Sequence, residues 1–303
     1  MADPTPRPDG TEGPARQQPL VIGTPVSLTE PRPPSVGPYR PDTVCDGWSL
    51  SGLTLRLASV RGHGHRHHGE PRQDDVAVRA HPHTNALAFA VADGVSAAEE
   101  AHVGAVLACR TAVDDIMSQL DTDAGDIDLR RAAHHAAWQL VMRVTGGAEP
   151  DDRARAEAER RLATTLITGV VLPAGDGSIT ASLVRVGDSG AWLLNRRRYT
   201  RLFPRRDVAV DEPDTAEVVA LPRIPSALEP VRVTVPPQGV LLVGTDGFAD
   251  ALGDGTGAVG RIFGRELAAP VPAVALGYLL DFSWDTFDDD RSLLAVWPKD
   301  GER

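Results

Sequence analysis

The sequence predicts an α+β fold in which antiparallel sheets are covered by helices. Strand-like stretches bracket two central helical stretches, and further helical stretches gather towards the C-terminus. The regular strand–helix alternation of a doubly wound parallel sheet is missing. With 303 residues, 42% of them hydrophobic, the chain can bury a substantial core as one large domain or two smaller ones.

The elements follow in order. Leu53 to Val60 alternates apolar and polar residues and reads as a strand. Asp75 to Arg79 and Ala86 to Ala92 make two more, joined as a hairpin across His81-Pro82-His83-Thr84-Asn85. Ala97 to Leu120 has helical spacing, with Val103, Val106, Leu107, Val113 and Ile116 near one face. Asp128 to Val144 is a second amphipathic helix, and the charged stretch Asp151 to Arg161 is a solvent-facing helix or loop. Strands return at Thr164 to Leu172, Thr180 to Val186 and Ala191 to Asn195, the first two separated by the turn residues of Pro173 to Ser178. Arg196 to Pro230 dissolves into charge and proline, the pattern of an inserted flap. Val231 to Val235 and Val240 to Thr245 are strands, Phe248 to Leu252, Val259 to Leu267 and Val271 to Leu280 are helical, and Ser292 to Trp297 closes the chain as a strand.

Eleven of the 25 prolines fall between Pro4 and Pro41, among few large apolar residues. Residues 1–46 therefore read as a disordered tail, solvated or serving a partner domain as a proline-rich ligand, with the folded domain at 47–299 and the flap at about 196–230. The net charge of −11 argues against nucleic acid or an anionic membrane as the main partner, but not against a phosphorylated substrate. Cys45 and Cys109 provide neither a disulfide framework nor a four-cysteine zinc site. The first twenty residues lack the apolar segment of a secretory signal, and no stretch of 18 apolar residues occurs, so a cytoplasmic protein is expected.

Two apolar runs stop on an acid followed by glycine: Leu87-Ala88-Phe89-Ala90-Val91-Ala92-Asp93-Gly94 and Val240-Leu241-Leu242-Val243-Gly244-Thr245-Asp246-Gly247. Further acids border strands at Gln73-Asp74-Asp75 and at Asp288-Asp289-Asp290. An ionised carboxylate beside a core is costly unless it is paired or bound to a cation. Oxygen ligands of this kind suit Mg²⁺ or Mn²⁺, and two such ions can clamp a phosphate for attack by water. Taken one at a time, each Asp reads equally as a turn former.

The ordered series Gln73-Asp74, Val91-Ala92-Asp93-Gly94, Ala163-Thr164-Thr165, Val186-Gly187-Asp188-Ser189, Gly244-Thr245-Asp246-Gly247 and Asp289-Asp290-Arg291-Ser292 resembles the motifs of the type 2C (PPM) protein phosphatases. The stretch from Val60-Arg61-Gly62-His63-Gly64-His65 to Gln73-Asp74 resembles the bacterial branch. The resemblance spans about residues 53 to 298 and implies an antiparallel β-sandwich flanked by helices on both sides, a four-layer αββα arrangement, with a binuclear Mg/Mn site at one end. By position, Asp93 would bridge two metal ions, Gly94 would offer its carbonyl, and Asp246 and Asp289 would hold the first ion, while Asp74 would orient metal-bound water. The implied activity is hydrolysis of phosphoserine and phosphothreonine in proteins by direct attack of that water, without a covalent phosphoenzyme.

The chain departs from the family at three places. The arginine that grips substrate phosphate in many members would fall near Gly69, leaving Arg66 and Arg72 as nearby substitutes. Val95 stands where some members carry a histidine, and His65 is the alternative proton donor. Glu159 lies where a third metal is held in some members, next to the repelling Arg160. The cluster His63, His65, His67 and His68 reads as a flexible loop at the site's rim or as a zinc-binding group, and His134 and His135 as helix-surface residues. A phosphatase-like binding or regulatory protein with weak turnover, and a different binuclear phosphoesterase with a small-molecule substrate, are the alternative readings.

Overall fold

The computed structural model describes residues 20–26, 30–34, 40–123, 125–204 and 219–299. The chain forms β1 (Thr43–Asp46), β2 (Ser49–Leu50), β3 (Leu53–Val60), α1 (His63–His68), β4 (Asp75–Ala80) and β5 (Leu87–Ala92). Three helices follow, α2 (Ala101–Thr122), α3 (Leu129–Thr145) and α4 (Asp152–Leu162). Next come β6 (Leu166–Pro173), β7 (Ile179–Val186), β8 (Gly190–Asn195), β9 (Arg198–Arg201), β10 (Val231–Val235) and β11 (Gly239–Gly244). The chain closes with α5 (Asp246–Leu252), α6 (Ala258–Glu266), α7 (Ala273–Leu280) and β12 (Arg291–Pro298).

The strands form two antiparallel sheets, one ordered β1-β3-β12-β11-β8-β9 with β2 beside β3, the other β10-β7-β6-β5-β4. Side-chain alternation sorts each strand between two buried faces. In β5, Leu87, Phe89 and Val91 enter the layer between the sheets, where they join Leu55, Leu241 and Leu294. Ala88, Ala90 and Ala92 face the other way, and their small size lets α2 approach through Ala105, Ala108 and Ala112. On the far sheet, Ala58, Leu242 and Ala295 meet Phe248, Phe263 and Leu276 of the C-terminal helices. Both faces of both sheets are therefore covered, which gives the expected α+β sandwich and explains why its strands read as continuous apolar runs. No helix among the described residues is long and apolar enough to cross a membrane.

The charged stretch after Pro150 is helical, with the Asp151 side chain accepting from Ala154 N–H at its start. Three expectations are corrected. Part of the segment expected to be a disordered tail is packed: Ile22 is buried, its N–H donates to Ser283 O at 2.9 Å, and β1 pairs with β3. Ile22 joins the core with Leu20 partly buried against it, while Val21 between them stays exposed. Second, the flap does not begin at Arg196, because Arg198–Arg201 pairs with β8 as an edge strand across a turn with left-handed Arg196 and Arg197. The middle of that flap, 205–218, lies outside the described residues. Third, the histidine-rich stretch is a short helix, closed by Gly69 at φ 75°, rather than a loop.

Helix α2 meets the end of α4 at Gly104, where a Cβ would collide with the Leu162 carbonyl oxygen. Gly104→Ala should therefore destabilise the fold by about 1–3 kcal/mol in urea unfolding. Val274→Ala, at a position 73% exposed, should stay within about 0.5 kcal/mol of the parent.

Candidate active site

Four acids reach one end of the sandwich from two adjacent strand pairs. Asp74 immediately precedes β4 and Asp93 immediately follows β5, with Asp75 opposite Ala92 in the ladder. Asp246 opens α5 just beyond β11, and Asp289 lies two residues before β12, with Gly244 opposite Leu293. Thr245 ties the two sheets together: its hydroxyl donates to Asp74 Oδ2 at 2.7 Å and accepts from Ser292 N–H at 3.0 Å.

The Asp93 backbone is held as firmly. Its N–H donates to Thr165 Oγ1 at 3.0 Å, while its carbonyl accepts from Thr165 N–H at 2.7 Å and Thr164 Oγ1 at 2.8 Å. Ser189, fully buried in the Gly187-Asp188-Ser189 turn, lies 3.0 Å from the Thr165 hydroxyl. The repeated Asp-Gly is explained by close packing. A Cβ on Gly94 would press against the Ala101 backbone, and one on Gly247 would collide with the Asp290 carbonyl. Neither glycine is among the left-handed ones, so a sharp turn is not the reason for them.

The electrostatics follow from this crowding. Burial, then the charges of Asp246 and Asp74, push the Asp93 carboxyl well above the usual range. Asp74 is raised by burial and then by Asp290, against the opposing hydrogen bond from Thr245. Burial carries Asp246 to about 6, against a hydrogen bond with Asp93. Asp289 is also raised, by burial and then by the charge of Asp290. Among the described residues, the cation paired with any of these four is His65, 3.8 Å from Asp289. Asp74 Oδ1 is buried without a hydrogen-bond partner. An all-oxygen donor set, an orphaned carboxylate oxygen and uncompensated negative charge fit a hard divalent cation.

Asp290, which the sequence left indistinguishable from its neighbours, turns inward. It is 2% exposed and accepts from Gly62 N–H at 2.6 Å and Gln73 N–H at 2.5 Å. His65 Nδ1 lies 2.9 Å from it, and His65 Nε2 lies 3.4 Å from Glu70. Burial raises the Asp290 carboxyl, but the His65 contact and these backbone donors outweigh it and hold the group below its ordinary value. Burial by itself lowers the His65 imidazole, yet the contact with Asp290 and the charges of Asp290, Asp289 and Glu70 lift it to about 9. Ligand atoms of His65, Asp289 and Asp290 lie within 4.8 Å of one another.

The expected phosphate-gripping arginines are engaged elsewhere. Arg72 is 3% exposed, with Nη1 on Ser59 Oγ and on the Asp74 carbonyl. A buried guanidinium needs such acceptors, and they turn it away from a substrate. Arg66 pairs with Asp42 at 3.1 Å and with Asp281 at 2.7 Å. Glu159 pairs with Arg223 at 3.0 Å, so the chain supplies its own cation where a third metal was considered. His134 and His135 are exposed on α3, and His135 lies 3.2 Å from Asp115.

The sequence model described as Protein phosphatase 2C matches residues 61–271, and the chain belongs to that family. No curated protein sequence matches the chain. Among solved structures, it is similar to the serine/threonine phosphatase PstP/Ppp of Mycobacterium tuberculosis, at 19% identity and a TM-score of 0.53, covering 81% of this chain and 98% of that one. The PstP catalytic domain in complex with two manganese ions matches at 18% identity and 0.53, covering 83% and 100%. RsbX in complex with magnesium matches at 12% identity and 0.52, covering 84% and 100%.

The raised Asp246 gives a signed pH prediction. Unfolded carboxylates titrate near about 4, and folded Asp246 at about 6, so in that window the folded chain holds the extra proton. The stability this group contributes is present below about 4 and lost as pH rises through about 6. In urea unfolding of chelator-treated protein, Asp246→Asn should match the parent near pH 4 and exceed it by about 1–3 kcal/mol at pH 7.

Proposed function

We propose that this chain is a divalent-metal-dependent protein phosphatase that hydrolyses phosphoserine and phosphothreonine. The observation that carries this reading is the convergence of Asp74, Asp93, Asp246 and Asp289 without a compensating arginine or lysine among the described residues. Asp93, Asp246, Asp289 and the Gly94 carbonyl are the groups that would hold two Mg²⁺ or Mn²⁺ ions. Bound there, the ions supply a Lewis acid that neutralises phosphate charge and makes water more nucleophilic. The magnesium of RsbX and the two manganese ions of PstP support that choice.

The chain's own residues do the rest. Thr245 occupies Asp74 Oδ2 and leaves Oδ1 to accept a hydrogen bond from the attacking water and orient it. Thr164 and Thr165 fix the Asp93 backbone, so the acid cannot swing away from its neighbours. His65, held between Asp290 and Glu70, carries a proton at neutral pH that it can donate to the leaving oxygen. The catalytic unit then begins at β1, which pairs with β3, and continues through β12. The substrate is a phosphorylated protein, met in the cytoplasm.

One observation favours a second reading, a weakly active regulatory protein that binds phosphoproteins: Arg66 and Arg72 are both committed to internal partners. The deciding experiment is hydrolysis of a phosphothreonine peptide with and without Mn²⁺. Turnover should require Mn²⁺ and fall at least about 100-fold in Asp246→Asn, beyond the loss typical of residues that merely support metal ligands. Absent Mn²⁺-dependent turnover in the parent would favour the regulatory reading. In the same assay, His65→Ala should abolish the decline of rate as pH rises through about 9. An unchanged profile would remove the proton-donor role.

A further inference from the structure

Two clefts lie side by side on the face formed by α3, α4 and residues 219–225. The smaller, about 490 Å³, is lined by Val95, Ala97, Ala98, Ala163 and Ala220 among others. Its lining comes within two residues of the acid cluster along the chain: Val95 lies two residues beyond Asp93 and donates its N–H to the Ala163 carbonyl at 3.0 Å. The larger, about 1070 Å³, includes Trp138, Val141, Ile224 and Pro225. Glu159 and Arg223 line both clefts, and their 3.0 Å ion pair marks the junction. The wall opposite α4 is tied to the site as well, since Leu221 N–H donates to Thr164 O at 2.8 Å, next to the Thr165 that holds Asp93.

The larger cleft combines an apolar platform with positive charge. Trp138 is 45% exposed, an unusual exposure for so large a ring on a surface helix. Arg131, Arg155, Arg223, His134 and His135 line this cleft against two carboxylates. Of those two, Asp115 is buried beneath Arg131 and His135, and Glu159 is neutralised by Arg223. Arg131 is offset by Asp115 and Arg223 by Glu159, which leaves Arg155 as the net positive charge of this cleft on a chain whose net charge is −11.

We propose that the two clefts form one substrate groove, which takes an acidic stretch with apolar side chains flanking the phosphorylated residue of the protein substrate. The inference rests on the phosphatase reading and adds to it the substrate's local chemistry. A phosphorylated residue at the acid cluster has its flanking chain running past Val95 and Ala163, with an apolar side chain on Trp138 and carboxylates towards Arg155 and the histidines. An exposed tryptophan in an otherwise accommodating cleft is the kind of residue that carries most of a binding energy.

Trp138→Ala and Arg155→Glu change exposed groups on α3 and α4, outside the four acids and the residues that hold them. The test compares these variants with the parent on three Mn²⁺-activated substrates. These are a small aryl phosphate, a phosphothreonine peptide with acidic and apolar flanks, and the same peptide with neutral polar flanks. Each variant should raise KM for the acidic peptide about tenfold, leave kcat within about twofold, and leave the aryl phosphate and the neutral peptide unchanged. An unchanged KM for the acidic peptide overturns the proposal. So does a lower KM. If the parent turns over none of the three, the catalytic reading fails separately. The groove is then decided by fluorescence-anisotropy binding of the labelled acidic peptide, where equal affinity of parent and Trp138→Ala overturns it.

Discussion

The arrangement depends on the mutual repulsion of carboxylates placed at one end of a β-sandwich. Asp74 and Asp93 arrive from one sheet, Asp246 and Asp289 from the other. Burial and neighbouring carboxylates raise the pKa of each above the ordinary carboxyl value, against opposing hydrogen bonds at Asp74, Asp246 and Asp289 and the charge of His65 at Asp289. Such a cluster is unfavourable for the folded chain at neutral pH unless positive charge enters it. The surrounding structure keeps the acids together: Thr245 bridges the sheets, Thr164 and Thr165 lock the Asp93 backbone, and glycines at 94 and 247 admit neighbouring backbone to contact distance.

The cations near this end serve as scaffolding. Arg61 and Arg66 share Asp42, which draws the segment before β1 onto α1. Arg291 is buried against the Phe282 ring, 3.8 Å from its centroid, and donates to the Leu280 and Phe282 carbonyls. It thereby anchors the connection that carries Asp289 and Asp290. Asp290 gathers Gly62, Gln73 and His65 around one ionised carboxylate. Positive charge is thus spent on shaping the rim, and among the described residues His65 is the cation paired with the cluster.

Much of this was legible in the sequence, because strand-end acids after apolar runs conflict with burial and ask for a reason. The helical layers were legible too, from the spacing in α2 and α3 and from the double-sided burial of β5 and β11. What the sequence concealed depends on distant backbone. Asp289 and Asp290 look alike as adjacent acids, and the inward turn of Asp290 is decided by N–H groups at Gly62 and Gln73, more than 200 residues away. Arg72 read as a surface grip because its buried acceptors, Ser59 and the Asp74 carbonyl, leave no trace in local pattern. Helix α1 has six residues and no apolar stripe, so periodicity could not reveal it. The packed Leu20 and Ile22 were masked by the prolines on either side of them.

The most direct measurement is calorimetric titration of Mn²⁺ into chelator-treated protein at pH 7, alongside Asp93→Asn. The account predicts saturable binding of two ions by the parent, accompanied by release of protons from the crowded carboxyls, and loss of that binding in the variant. A parent that binds no Mn²⁺, or a variant that binds it as the parent does, would contradict the claim that these acids are gathered to hold cations.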